Sequence, residues 1–96
     1  MSSNVPQKKF RLRHDVSLEQ TPSNKGYLFD SRTGYIFLLN PTGFYISKLI
    51  QESFLTVEQI VDWLTTNFAI PESSPAREGV EQFLDCLSNY NLLGED

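Results

Sequence analysis

The chain is 96 residues long, 40% hydrophobic and 21% charged, with a net charge of −4. That size and composition fit one ordinary domain; no apolar run approaches the roughly 18–20 residues of a membrane span, and the opening MSSNVPQKKFRLRH lacks the apolar stretch of a signal peptide, so a cytoplasmic, soluble protein is expected. A single cysteine, Cys86, excludes an internal disulfide, and a single histidine, His14, leaves no Cys/His set for zinc.

Charge is unevenly spread. Residues 1–48 hold seven Lys/Arg against three acids, a balance of +4, whereas residues 49–96 hold Arg77 alone against nine acids, a balance of −8. Such a division steers a charged partner at most, and counted alone it describes a solvated surface.

From the N-terminus, residues 1–13 combine Ser, Asn, Pro and Gln with a Lys/Arg cluster, which predicts a flexible basic tail ahead of a domain over residues 14–96. In HDVSLEQ, Val16 and Leu18 alternate with polar neighbours, the pattern of a half-buried strand. TPSNKG is a loop by composition. In YLFDSRTGYIFLLN, two apolar runs flank Asp30-Ser31-Arg32-Thr33-Gly34, where Asp can bond the turning backbone and Gly can take positive φ, so a hairpin is predicted. Three antiparallel strands result, the third being Tyr35 to Leu39.

Three helices follow. Asn40 as N-cap and Pro41 as first helical residue start a helix running to about Glu52, with Tyr45, Ile46, Leu49 and Ile50 as its apolar stripe. Thr56-Val57-Glu58-Gln59 reads as a capping box, flanked by a staple of Leu55 and Ile60; Ile60, Leu64 and Phe68, with Val57 and Val61, form the buried face and Trp63 its margin. Ser74-Pro75 repeats the cap-then-proline signal for a third helix with Val80, Phe83, Leu84 and Leu87 at helical spacing. Asn91 takes the left-handed position after its end, with Leu92 folding back. The order βββααα predicts an α+β class, a helical cluster on one face of a small sheet.

Catalytic sets do not assemble from these residues. His14 beside the basic run reads as a solvated side chain, and Cys86 near Phe83 and Leu87 as a partly buried, inert thiol. Glu78, Glu81 and Asp85 share a helix face without a further ligand and read as a solvated acidic surface, and no glycine-rich phosphate loop occurs. No cofactor and no enzymatic activity are expected.

A binding module remains. Three helices beside a hairpin resemble a winged helix, but the third helix carries Glu78, Glu81 and Asp85 against Arg77, which disfavours a phosphate backbone. The third strand offers a different chemistry. It is apolar at consecutive positions and enters the first helix directly, which puts it at a sheet edge. If Phe37 and Leu39 face the helices, Ile36 and Leu38 face away. An uncharged apolar edge needs a cover: a partner adding as a strand, the tail, or a second copy.

The sequence of a hairpin, YIFLLNPTG, a helix, LTVEQIVDWL and GVEQFLDCLSNYNLL resembles the PqqD-like proteins, the precursor-peptide recognition elements, over about residues 14 to 93. The resemblance implies a small winged-helix-like, non-catalytic peptide chaperone. Such a protein binds the leader segment of a ribosomally synthesised precursor peptide as a strand beside the third strand, against the third helix, and delivers it to a modifying enzyme, often a radical S-adenosylmethionine enzyme. It further implies a platform of Tyr35, Ile36, Phe37 and Leu38 and a helix wall of Arg77, Val80, Glu81 and Leu84. The pathway, pyrroloquinoline quinone or another peptide product, is left open. A monomer, or a dimer formed by edge pairing or strand exchange, is expected. The alternatives are a winged-helix nucleic-acid binder and a structural subunit of a larger enzyme.

Overall fold

The computed structural model describes residues 8–23, 25–68 and 75–94. Its elements in chain order are β1 (Lys9–Phe10), β2 (Val16–Gln20), β3 (Gly26–Asp30), β4 (Ile36–Leu38), α1 (Pro41–Glu52), β5 (Leu55–Thr56), α2 (Val57–Phe68) and α3 (Ala76–Asn89). β2, β3 and β4 form an antiparallel sheet in that order. The α+β class and the succession of three main strands and three helices are therefore as the sequence predicts.

The local signals act where they stand. Asn40 accepts a hydrogen bond from the Gly43 N–H at 2.6 Å and Pro41 opens α1. Thr56 and Gln59 bond reciprocally at 2.9 and 3.2 Å, the predicted capping box. At the end of α3, Leu92 N–H donates to Leu87 C=O and Asn91 N–H to Ser88 C=O, with Asn91 at φ 63°, which is a Schellman cap. In the β3–β4 turn Gly34 has φ 79°, a conformation that disfavours a side chain, and its N–H donates to Asp30 C=O at 2.7 Å. For α3 the signal differs: Pro75 is the N-cap and makes no side-chain cap, while Ser74 lies outside the described residues.

The core is aliphatic: Leu12, Val16, Leu28, Ile46, Ile50, Ile60, Leu64, Val80, Leu84, Leu87 and Leu92. None of the seven Phe, four Tyr and one Trp is fully buried. Phe68, expected on the buried face of α2, is exposed and lies edge-on to Tyr45 and Trp63 at 5.0 and 5.7 Å. Phe10, Phe37, Tyr45, Trp63 and Phe83 pack against the aliphatic core from its margin, while Tyr35, Phe68 and Tyr90 are exposed; aromatic residues carry large contact area and favour interfaces.

Part of the expected tail belongs to the fold. Lys9–Phe10 pairs antiparallel with Leu55–Thr56, Leu12 N–H donates to Ile50 C=O at 3.0 Å, Arg13 N–H to Leu92 C=O at 3.0 Å, and Gly94 N–H to Arg11 C=O at 2.6 Å. Leu12 itself is core. The cause is an alternation hidden by the charges: Phe10 and Leu12 take alternate positions between Lys9, Arg11 and Arg13, so this extended segment has an apolar side to bury. Residues 1–7 lie outside the described residues.

Candidate functional site

Hydrogen-bond register decides which backbone groups of β4 are free. Leu39 N–H donates to Gly26 C=O and Asp30 N–H to Tyr35 C=O, each at 3.0 Å, and the Cα partners between them are Tyr27 with Leu38, Leu28 with Phe37 and Phe29 with Ile36. Antiparallel partners alternate between hydrogen-bonded and non-hydrogen-bonded pairs. Phe37 therefore bonds inward to Leu28, and the N–H and C=O of both Ile36 and Leu38 point out of the sheet's edge. The two side chains are also 59% and 78% exposed, and Tyr35 beside them is 76% exposed.

Phe37, of opposite parity, turns toward the helices and meets Tyr90 edge-on at 5.2 Å. Between β4 and the C-terminal end of α3 lies an open trough of about 580 Å³, lined by Tyr35 to Leu38, Asn89 to Leu92, Asp30 and Thr33. One turn back along α3 a second hollow of about 570 Å³ opens between Asn40–Gly43 and the helix residues Gly79, Gln82, Phe83 and Cys86. Gly43 is required there: a Cβ on it would stand 2.9 Å from the Phe83 ring. Both hollows lie within the ~300–1,000 Å³ range of ligand sites.

The structure brings Tyr35, Ile36, Phe37 and Leu38 together on the edge. It does not bring the four helix residues named with them to the trough. Val80 and Leu84 are 1% exposed in the core, and Arg77 pairs with Glu58 of α2 and with Glu81 at 3.8 Å. On α3 the trough is lined by Asn89 and Tyr90, while Gly79, Phe83 and Cys86 line the second hollow, which Val80 also borders; Phe83, Cys86 and Tyr90 lie on the opposite flank of the buried Val80–Leu84–Leu87 stripe from Arg77. An apolar arc on α3 wider than one buried stripe was the available sign. Cys86, expected partly buried, is exposed because Leu87 takes the core position beside it.

Both walls of the trough are fixed from below by Arg13. Its guanidinium donates to Asp15 Oδ1 at 2.8 Å, to Asp30 Oδ1 at 2.6 Å and to Asn91 C=O at 2.6 Å, joining the start of β2, the β3–β4 turn and the end of α3. Asp30 also accepts the Arg32 N–H at 2.9 Å. The Arg13 hydrogen bond holds the Asp15 carboxyl below its ordinary range. For Asp30, burial pulls the other way, but the Arg32 N–H and the charge and hydrogen bond of Arg13 outweigh it and the carboxyl is lowered too. These acids are occupied as structural acceptors. Among the described residues no group of three or more His, Cys, Asp and Glu is placed to hold a metal ion, and no helix is long and apolar enough to cross a membrane.

Fold and site together define a small α+β domain that offers a strand edge, unpaired among the described residues, beside a largely apolar trough with Tyr35, Phe37 and Tyr90 in its lining. The chain belongs to the PqqD family: the model of coenzyme PQQ synthesis protein D (PqqD) matches residues 26–93, from β3 through the Schellman cap. Two solved structures share the fold. One, a lasso peptide synthetase B1 complexed with the leader peptide, has a TM-score of 0.71 and 23% identity, covering 90% of this chain and 98% of the other. The second, TbiB1 in complex with the TbiA(beta) leader peptide, has a TM-score of 0.73 and 23% identity, covering 90% and 96%. No curated protein sequence matches the chain.

Proposed function

We propose that the chain is a non-catalytic, cytoplasmic peptide chaperone. It binds the leader segment of a ribosomally synthesised precursor peptide by β-strand addition to β4 and presents it to a modifying enzyme, for which a radical S-adenosylmethionine enzyme is the family's precedent. The carrying observation is the backbone of Ile36 and Leu38, whose outward N–H and C=O groups lie beside the trough toward α3. An extended peptide satisfies such groups and sets alternate side chains against the trough. Family membership and the two leader-bound structures of the same fold support this reading. The proposed site is Tyr35, Ile36, Phe37 and Leu38 on the strand and Tyr90 at the end of the helix, with Phe83 and Cys86 in the second hollow as its extension along α3.

The same edge accepts a second copy of the chain, so saturating leader peptide opposes any β4-to-β4 dimer. Nucleic acid is the weaker ligand, because Glu78, Glu81 and Asp85 are all exposed on α3.

The test titrates labelled protein with leader peptides of precursors encoded near its gene, and with duplex DNA. Wild type is expected to bind one such leader; Leu38→Pro, which deletes an outward N–H, loses binding almost completely while circular dichroism stays native. Leu38→Thr, which keeps strand propensity, loses about 1–2 kcal/mol. A folded Leu38→Pro protein that binds leader as well as wild type refutes strand addition at this edge, and tight, salt-sensitive DNA binding without peptide binding refutes the chaperone reading.

A further inference from the structure

The outward backbone groups of β4 belong to Ile36 and Leu38, and the side chains of those same residues lie on the sheet face turned away from the helices. Directly opposite residues in a β-pair share a face whichever way the strands run. Any strand caught here must therefore set two of its own side chains, two residues apart, beside Ile36 and Leu38 on that outer face, and the residue between them toward Phe37 and the trough. The outer face is already apolar at this side of the sheet: Tyr27 stands opposite Leu38 and Phe29 opposite Ile36, while Ser17 and Glu19 are confined to the far strand. Tyr27 and Phe29 are half-exposed and belong to no part of the buried cluster.

We infer that the leader segment recognised by this chain is apolar at three consecutive positions, its outer pair packing on an Ile36–Leu38–Tyr27–Phe29 surface and its middle residue entering the trough. This rests on strand addition at β4 and adds a second reading surface to it. The outer face explains why β4 is apolar at successive positions, which trough binding alone does not require: a strand reading its ligand on one face needs apolar residues at every second position. Charge points the same way, because no charged side chain lies on β3 or β4 of this face. A leader that alternates apolar and polar residues fills one of the two faces only: with its apolar side in the trough it sets polar side chains against Ile36 and Leu38, and with its apolar side outward it leaves a polar residue in the trough.

Two synthetic peptides about nine residues long, enough to span an ordinary strand, test this. Both contain three valines among serines and lysines in the same composition; in one the valines are consecutive, in the other they alternate with serine. Isotope-labelled protein is titrated to millimolar peptide, reading the Ile36 and Leu38 amides, with wild type, Leu38→Pro and an Ile36→Ser/Leu38→Ser double variant whose fold is checked by circular dichroism. The consecutive peptide is expected to bind wild type about five- to tenfold more tightly, the scale of two cross-strand apolar pairs, and the advantage to fall to about twofold or less in the double variant. Equal affinities for wild type, or an advantage that survives in the double variant, overturn the outer-face surface; strand addition then still stands if Leu38→Pro abolishes both. If neither peptide perturbs the Ile36 and Leu38 amides, strand capture at β4 fails and the inference with it.

Discussion

Two extended segments of this chain meet opposite fates. Lys9–Arg13 alternates charged and apolar residues and is laced between β5, the end of α1 and the C-terminal residues by backbone hydrogen bonds. β4 is apolar at successive positions, and the chain pairs one of its edges with β3 and leaves the other edge unpaired among the described residues. A segment with one apolar side is completed by the fold it packs on. One with two apolar sides in a domain this small has more to cover than the domain can supply. The contrast separates a structural edge from an edge held open for something else.

Matched prolines probe that contrast most strongly. Phe37→Pro removes an N–H that pairs inward with Leu28, so it is expected to cost about 3 kcal/mol or more, enough to unfold a marginal domain. Leu38→Pro removes an N–H that faces outward and is expected to change the urea midpoint little. Equal destabilisation by the two would mean that the register gives no free edge at Leu38. Next in size is Leu12→Ala, which should lower unfolding free energy by about 2–4 kcal/mol, the cost of truncating a buried leucine. A change below about 1 kcal/mol would show that the lace is dispensable and that the N-terminal segment behaves as the tail its composition predicts.

What could be read from the sequence follows the range of the interaction involved. The Asn40 cap, the Thr56–Gln59 box, the Asp30–Gly34 turn and the Asn91 cap are each settled within about five residues, and all stand where the local pattern puts them. β4 as an edge strand with Ile36 and Leu38 facing out was also legible, because parity along a strand is rigid. The lace was hidden, since Lys8, Lys9, Arg11 and Arg13 dominate its composition and its partners lie some 40 to 80 positions away. The helix wall was hidden for a related reason. α3 is apolar over two adjacent stripes, and periodicity does not say which flank faces β4; only packing against α2 puts Arg77 on one side and Phe83, Cys86 and Tyr90 on the other.

The smallest effect is expected where the two regions meet, at the Arg13 clasp. Asp15 and Asp30 both have carboxyl groups lowered in the folded protein. A carboxyl held below its unfolded value of about 4 adds stability above that value, and the contribution is lost as pH falls through the folded value. Stability from the clasp should therefore be level from about pH 7 to 5 and decline as pH drops below about 4, when protons compete with the guanidinium for the carboxylate oxygens. Asp15→Asn isolates one share of this, because Asp15 is the less buried of the two acids and its replacement leaves Arg13 bonded to Asp30 and to Asn91 C=O. Urea midpoints measured from pH 2 to 6 should fall less steeply below pH 4 for Asp15→Asn than for wild type, with a nearly constant offset above pH 5. Parallel acid limbs would show that Asp15 titrates alike folded and unfolded, so that the clasp binds the lace to the site through Asp30 alone.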